Sequence, residues 1–186
     1  MPHEVAVNIN DRPIKDGIAT MGQIFSQNGY DAFWAGKWHI PQPFPKENTV
    51  YGFNNITADV DHWLGTVSDS SVAEKAAEFI RKKHDRPFLL CVSLHNPHDI
   101  CHFVPQCGYL PLADTEYFRN ILPPLPDNHK KDSCESEFIT MCRNRNFYGE
   151  ENIHTKNWSE IHWRTYLYVY YRMVEQVDRE IGKVLG

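Results

Sequence analysis

Phe88-Leu89-Leu90-Cys91-Val92-Ser93-Leu94 is an almost unbroken apolar run of strand length, and His95-Asn96-Pro97-His98-Asp99 follows it directly. A strand with one wet face alternates polar and apolar residues, so a continuous run reads as a central parallel strand covered on both faces. The polar cluster then stands at the carboxyl end of that strand, where open α/β sheets bind ligands. Immediately upstream, Ser71 and Glu74 form a capping box for a helix carrying Val72, Ala76, Phe79 and Ile80 on one side. That helix ends in Arg81-Lys82-Lys83-His84, a basic run that complements the helix dipole, and Pro87 stops it.

The same order occurs once more towards the N-terminus. Thr20 caps a short helix with Met21, Ile24 and Phe25 at helical spacing, and Asn28-Gly29 supplies a left-handed stop. Tyr30 to Ala35 is a short aromatic-rich strand that runs into Gly36-Lys37-Trp38-His39. Ile40 to Asp61 reads as loop, and His102 to Lys156, with Pro123-Pro124-Leu125-Pro126, as an irregular insertion over the sheet edge. Asn157 with Glu160 forms a further capping box. Tyr166, Tyr170, Val174, Val177, Ile181 and Val184 then follow at spacings of 4, 4, 3, 4 and 3, the signature of one long amphipathic helix. The helix runs to the end with no strand after it, so the domain is expected to be incomplete. Helix, strand, helix, strand, helix implies an α/β fold, a mainly parallel sheet flanked by helices, within one domain spanning 1–186.

Composition narrows the function classes. An apolar fraction of 41% with 13% aromatics belongs to a globular chain, and a net charge of −5 with intermixed signs offers no basic stripe for nucleic acid or an anionic membrane. No apolar run approaches the roughly 20 residues of a membrane-spanning helix. The five cysteines cannot all pair within one chain, which weighs against a disulfide framework.

Two clusters carry chemistry. Lys37 and His39 lie two apart at a strand end, so in an extended backbone both side chains leave on one side. A cation and an imidazole together suit an anionic oxygen centre. The alternative is a solvated lysine beside a histidine packed on Trp38. In the second cluster His95 and His98 flank Pro97, which restrains where His98 points. One imidazole suits a general acid, with Asp99 as its partner or a substrate contact; an ordinary strand-to-loop junction is the alternative. Cys91, His95, His98, Cys101, His102 and Cys107 also raise a zinc module, although their spacing matches no standard ribbon or finger.

Gly29-Tyr30-Asp31-Ala32-Phe33-Trp34-Ala35-Gly36-Lys37-Trp38-His39 resembles the Gly-Lys-Trp-His signature of the type I sulfatases. Tyr51-Gly52-Phe53 resembles the Gly-Phe landmark of that family, and Arg86 to Asp99 resembles its strand ending in Pro-His. Tyr166 to Leu185 resembles its long helix, with Asp178 and Gly182 in register. The resemblance implies an alkaline-phosphatase-like fold that hydrolyses sulfate esters or sulfamates, of small molecules or glycans, with a formylglycine nucleophile and a bound calcium ion. It implies that Lys37 bridges sulfate and nucleophile and that His39 orients the formylglycine hydrate. His98 would contact the ester oxygen and help protonate the leaving alcohol, while His95 and Asp99 would be substrate contacts. Periplasmic, extracellular or lysosomal location is implied by the same analogy.

The sequence also departs from the family. It contains no Cys-X-Pro-Ser-Arg nucleophile motif; Cys107-Gly108-Tyr109-Leu110-Pro111 comes nearest and fails it. The paired aspartates and the Asp-His-Gly segment that hold calcium in the family are absent too. The chain is therefore expected to be an interior part of a sulfatase, inactive by itself, with calcium ligands only in the intact enzyme. A phosphonate or phosphodiester hydrolase of the same superfamily is the sister reading.

Overall fold

A computed structural model describes residues 3–7, 9, 12–40, 49–61, 64–108, 115–130, 133–144, 155 and 158–186. The chain falls into two compact units, one of Met1–Asn96 with Gln176–Gly186, the other of Pro97–Glu175.

In the first unit, α1 (Met21–Gln27) starts at Thr20, whose hydroxyl accepts the Gln23 N–H while the Gln23 side chain takes the Thr20 N–H, closing a capping box. Gly29, at φ +90, provides the expected left-handed stop. Strand β1 (Asp31–Gly36) follows, then a hairpin of β2 (Thr49–Val50) and β3 (Phe53–Asn55). The sheet order is β2-β3-β1-β4, with β4 (Phe88–Ser93) parallel to β1, β3 parallel to β1 and β2 antiparallel to β3. The sheet is thus mixed, with a parallel centre.

Three expectations change here. The Ile40 to Asp61 loop contains β3, hidden because its asparagines read as turn formers. In the sheet the Asn54 side chain instead donates to the Ala32 carbonyl, and the Asn55 side-chain oxygen accepts the Thr57 N–H. Strand β4 is an edge strand with all six residues half-buried rather than a central one, because among the described residues it pairs only with β1. Helix α2 (Gly65–Arg81) begins well before the Ser71–Glu74 box. Its buried face is Gly65, Ser68, Asp69, Val72, Ala73, Ala76 and Ala77, a helical stripe of small residues whose first turns carry no apolar signal.

The core joins Ala35 of β1 to Val72 and Ala76 of α2, with Ile56, Val60, Leu90, Val92 and Leu94 packed around them. Helix α6 (Glu160–Leu185) matches the expected periodic helix, and its Val184 packs against the same core. Lys183 ties that end down, reaching Glu180 and the Ser70 hydroxyl at 2.7 Å each. Asn157 of the expected capping box lies outside the described residues.

The second unit holds α3 (Ile100–Cys107), α4 (Glu116–Ile121), a 3-10 turn at Asp127–His129 and α5 (Glu137–Asn144), besides the first part of α6. The stretch expected to be irregular therefore carries short helices, too short and proline-interrupted for a sequence period to show. Arg164 fastens α4 to α6: its guanidinium donates to the carbonyls of Arg119, Leu122 and Pro123 at 2.5, 2.7 and 2.9 Å, satisfying the open end of α4.

Candidate active site at two strand ends

The ends of β1 and β4 lie side by side. Gly36 is in register with Ser93, and the Lys37 N–H donates to the Ser93 carbonyl at 2.9 Å. Gly36 has φ +97, and a Cβ on it would stand 2.1 Å from that carbonyl oxygen, so glycine is required where the strand turns into the Lys37 loop. The Gly36 N–H goes to the Thr57 hydroxyl at 2.9 Å, and Thr57, fully buried, donates in turn to the Asn55 side chain.

The backbone does not stay extended past this point. His39 sits at φ +70, a left-handed conformation that costs a non-glycine residue on the order of 1 kcal/mol. The two-apart, same-side argument for Lys37 and His39 therefore fails as stated. What fixes the segment is Trp38. Its ring stacks on Tyr51 at 5.7 Å and meets Trp34 edge-on at 4.5 Å, and its indole N–H donates to the Ile40 carbonyl at 2.5 Å. Lys37 and His39, both half-buried, flank this anchored ring.

At the end of β4, His95 and Asn96 are buried, at 7% and 4% exposure. Both backbone N–H groups donate to the carboxylate of Asp69 on α2, at 2.6 and 2.9 Å. Lys37, His39 and His95 thus come from adjoining strand ends of one unit. His98 and Asp99 belong to the other unit, at the start of α3. There Asp99 is buried and His98 exposed, with 3.9 Å between His98 Nδ1 and an Asp99 carboxylate oxygen, and Cys101 Sγ is 3.9 Å from the same ring nitrogen. At that separation the two attract when His98 is protonated.

Sequence reading missed Asp69, Thr57 and Gly65. An aspartate beside three serines in an early helical turn looks solvent-facing, and only the tertiary fold shows it buried. For the zinc module, Cys101 lies beside the His98 ring, but the other two thiols are not set up as ligands. Cys107 is buried and donates to the His162 carbonyl at 3.6 Å, with burial pushing its pKa up to about 11. Burial raises the Cys91 thiol as well. Both are core thiols rather than thiolates offered to a cation. Nor does the strand-end cluster fit calcium, which takes six to eight oxygen ligands: Lys37, His39 and His95 offer nitrogen, and Asp69 is engaged by two amides.

These residue types are chemically suited to an anion. A lysine supplies a point charge, imidazoles donate hydrogen bonds or carry a proton, and parallel strand ends concentrate them.

Comparison with known proteins agrees with this chemistry. The Sulfatase family profile matches residues 1–186. The chain is 25% identical over its whole length to a Delta 4,5-hexuronate-2-O-sulfatase of Bacteroides thetaiotaomicron, of which the match covers 39%. It is 27% identical to an ulvan-active sulfatase of Formosa agariphila, over 52% of this chain and 24% of that one. The solved structure of a 2-O GAG sulfatase superposes with a TM-score of 0.75 at 21% identity, over 100% of this chain and 40% of the other, which establishes the alkaline-phosphatase-like fold. The chain spans about two fifths of the length of the first of these relatives. The chain belongs to the sulfatase family.

Proposed function

We propose that this chain forms the sulfate-gripping part of a sulfuric ester hydrolase that acts on sulfated sugars. The supporting observation is the juxtaposition of the β1 and β4 ends, which brings the Lys37 segment beside His95 in a family whose reaction develops charge on sulfate oxygens. Two relatives bear names that specify sulfated carbohydrate, and that supports a glycan sulfate ester over a small aryl ester.

In this reading Lys37 neutralises the sulfate oxygens and His39 hydrogen-bonds at the nucleophile side. His95 contacts the substrate. His98 protonates the leaving alcohol. Calcium is the metal the family resemblance implies for the intact enzyme, where it would draw charge from the sulfate; among the described residues no oxygen-rich ligand set for it stands at these strand ends. The phosphoester reading gains no support from the relatives named above, which are sulfatases by name.

The polypeptide itself is expected to show no turnover of an aryl sulfate with calcium present, since a barrier is lowered mainly by the nucleophile and Lewis acid, for which this sequence has no motif. It is nonetheless expected to bind inorganic sulfate, and Lys37→Ala weakens that binding by at least about tenfold, as loss of a charge-assisted contact should. Binding unaffected by Lys37→Ala overturns the sulfate reading. Turnover above the Lys37→Ala control overturns the expected inactivity.

A further inference from the structure

A carboxylate withdrawn from water is strongly unfavourable unless its oxygens are hydrogen-bonded. Asp69 is 1% exposed, and its two oxygens take two successive backbone donors, Oδ1 from His95 and Oδ2 from Asn96. The location explains why a carboxylate is needed. β4 ends at Ser93 and β1 at Gly36, so the N–H groups of residues 95 and 96 lie beyond the ladder and would be buried without strand partners. A bidentate charged acceptor replaces the missing strand there, and two bonds to separate oxygens fix both the position and the twist of the peptide.

The helix is shaped to allow this approach. Gly65, one turn before Asp69, stands so close that a Cβ on it would lie 2.7 Å from Asp69 Oδ2, 2.7 Å from Asn96 Nδ2 and 2.8 Å from the Asn96 backbone nitrogen. The Asn96 side chain is buried against it, with neither polar atom bonded among the described residues. Buried polar groups without a hydrogen bond are few in folded proteins.

We infer that Asp69 is the positioning residue of His95: from α2 its carboxylate holds the peptide from which the imidazole projects, so the ring meets the sulfated substrate from a fixed origin. This deepens the sulfatase reading and rests on His95 being a substrate contact. A geometry held by a rigid helix, rather than by the loop itself, is what a reacting group needs to stay within a fraction of an ångström of its place.

NMR on the 186-residue chain separates this role from plain stability. In Asp69→Asn one oxygen is lost. The amide protons of His95 and Asn96 are expected to move upfield and to lose hydrogen-exchange protection at least about tenfold, the loss of one charge-assisted bond. Protection at Leu90 and Val92, in the same strand, changes far less. The shift of the His95 ring signals on titration with inorganic sulfate shrinks in parallel.

Uniform loss of protection along β4 and α2 overturns the inference, because it marks a structural residue. So does an undiminished His95 response to sulfate. If Asp69→Asn does not fold, Gly65→Ala displaces the clamp while keeping the carboxylate, and the same local pattern is expected. Should the amide signature change as expected while wild-type protein shows no response to sulfate at all, the clamp stands and the sulfate reading falls.

Discussion

His39 at φ +70 and Gly36 at φ +97 bracket the Lys37-Trp38 dipeptide with left-handed backbone, so the segment is a shaped loop rather than a strand extension. The residue types at the strand ends were readable: a lysine and histidines, with Trp38 between. The shape was not, because a left-handed histidine leaves no mark on a pattern that counts only polarity. Buried titrating groups offer a test at the same scale. The Cys107 thiol is raised from 9.0 to about 11 by burial, so between those values the unfolded chain ionises while the folded one stays protonated. Stability should therefore hold below pH 9 and fall by up to about 1.4 kcal/mol per pH unit above it. Urea unfolding of wild type and Cys107→Ala reads this: the gap between them is expected to narrow as pH rises from about 8 to about 11. A constant gap would mean that Cys107 titrates alike in both states.

Among the elements, those with strong periodicity were legible and those built on side-chain exchange were not. The Thr20 cap, β1, β4 and the long α6 all follow from local pattern. The β2–β3 hairpin does not, since its strands are two and three residues long. Its turn is nevertheless physically specified: Tyr51 at φ +45 and Gly52 at φ +84 are the paired positive angles of the tight hairpin turn that suits strand twist. The Tyr51 carbonyl accepts the Thr20 hydroxyl at 2.5 Å, and a Cβ on Gly52 would lie 2.5 Å from the Gln23 backbone nitrogen. The turn thus sits against the start of α1 with no room to spare, and it carries Tyr51, on which Trp38 stacks. Gly52→Ala should cost about 2 kcal/mol or more, from backbone strain and overpacking, and lower Tm by at least about 4 °C. Differential scanning calorimetry checks this, and Trp38 fluorescence should shift with it, because the stacking partner moves. A melting point within a degree of wild type would show that the hairpin is not anchored as described.

At the scale of the whole molecule, part of the exposed apolar surface lies along the long helix. The α6 positions Val174 and Ile181 belong to the apolar stripe read from sequence, yet they are 41% and 43% exposed, and Leu185 is 82% exposed. β4 presents six half-buried residues on a strand whose outer edge has no partner among the described residues. Unpaired parallel edges and wide apolar stripes are the surfaces by which chains associate without specificity. This is also why the sequence implied a more buried architecture than the fold displays: periodicity records which surfaces are suited to burial, and the relatives are more than twice as long as this chain. The 186-residue polypeptide is therefore expected to self-associate as its concentration rises, seen by sedimentation velocity as a growing mean sedimentation coefficient. Val174→Lys with Ile181→Lys should suppress that growth without loss of helical circular dichroism, since lysine is at least as good a helix former as the residues it replaces. If the double variant associates as wild type does, the α6 stripe is not the adhesive surface, and the β4 edge is left to account for it.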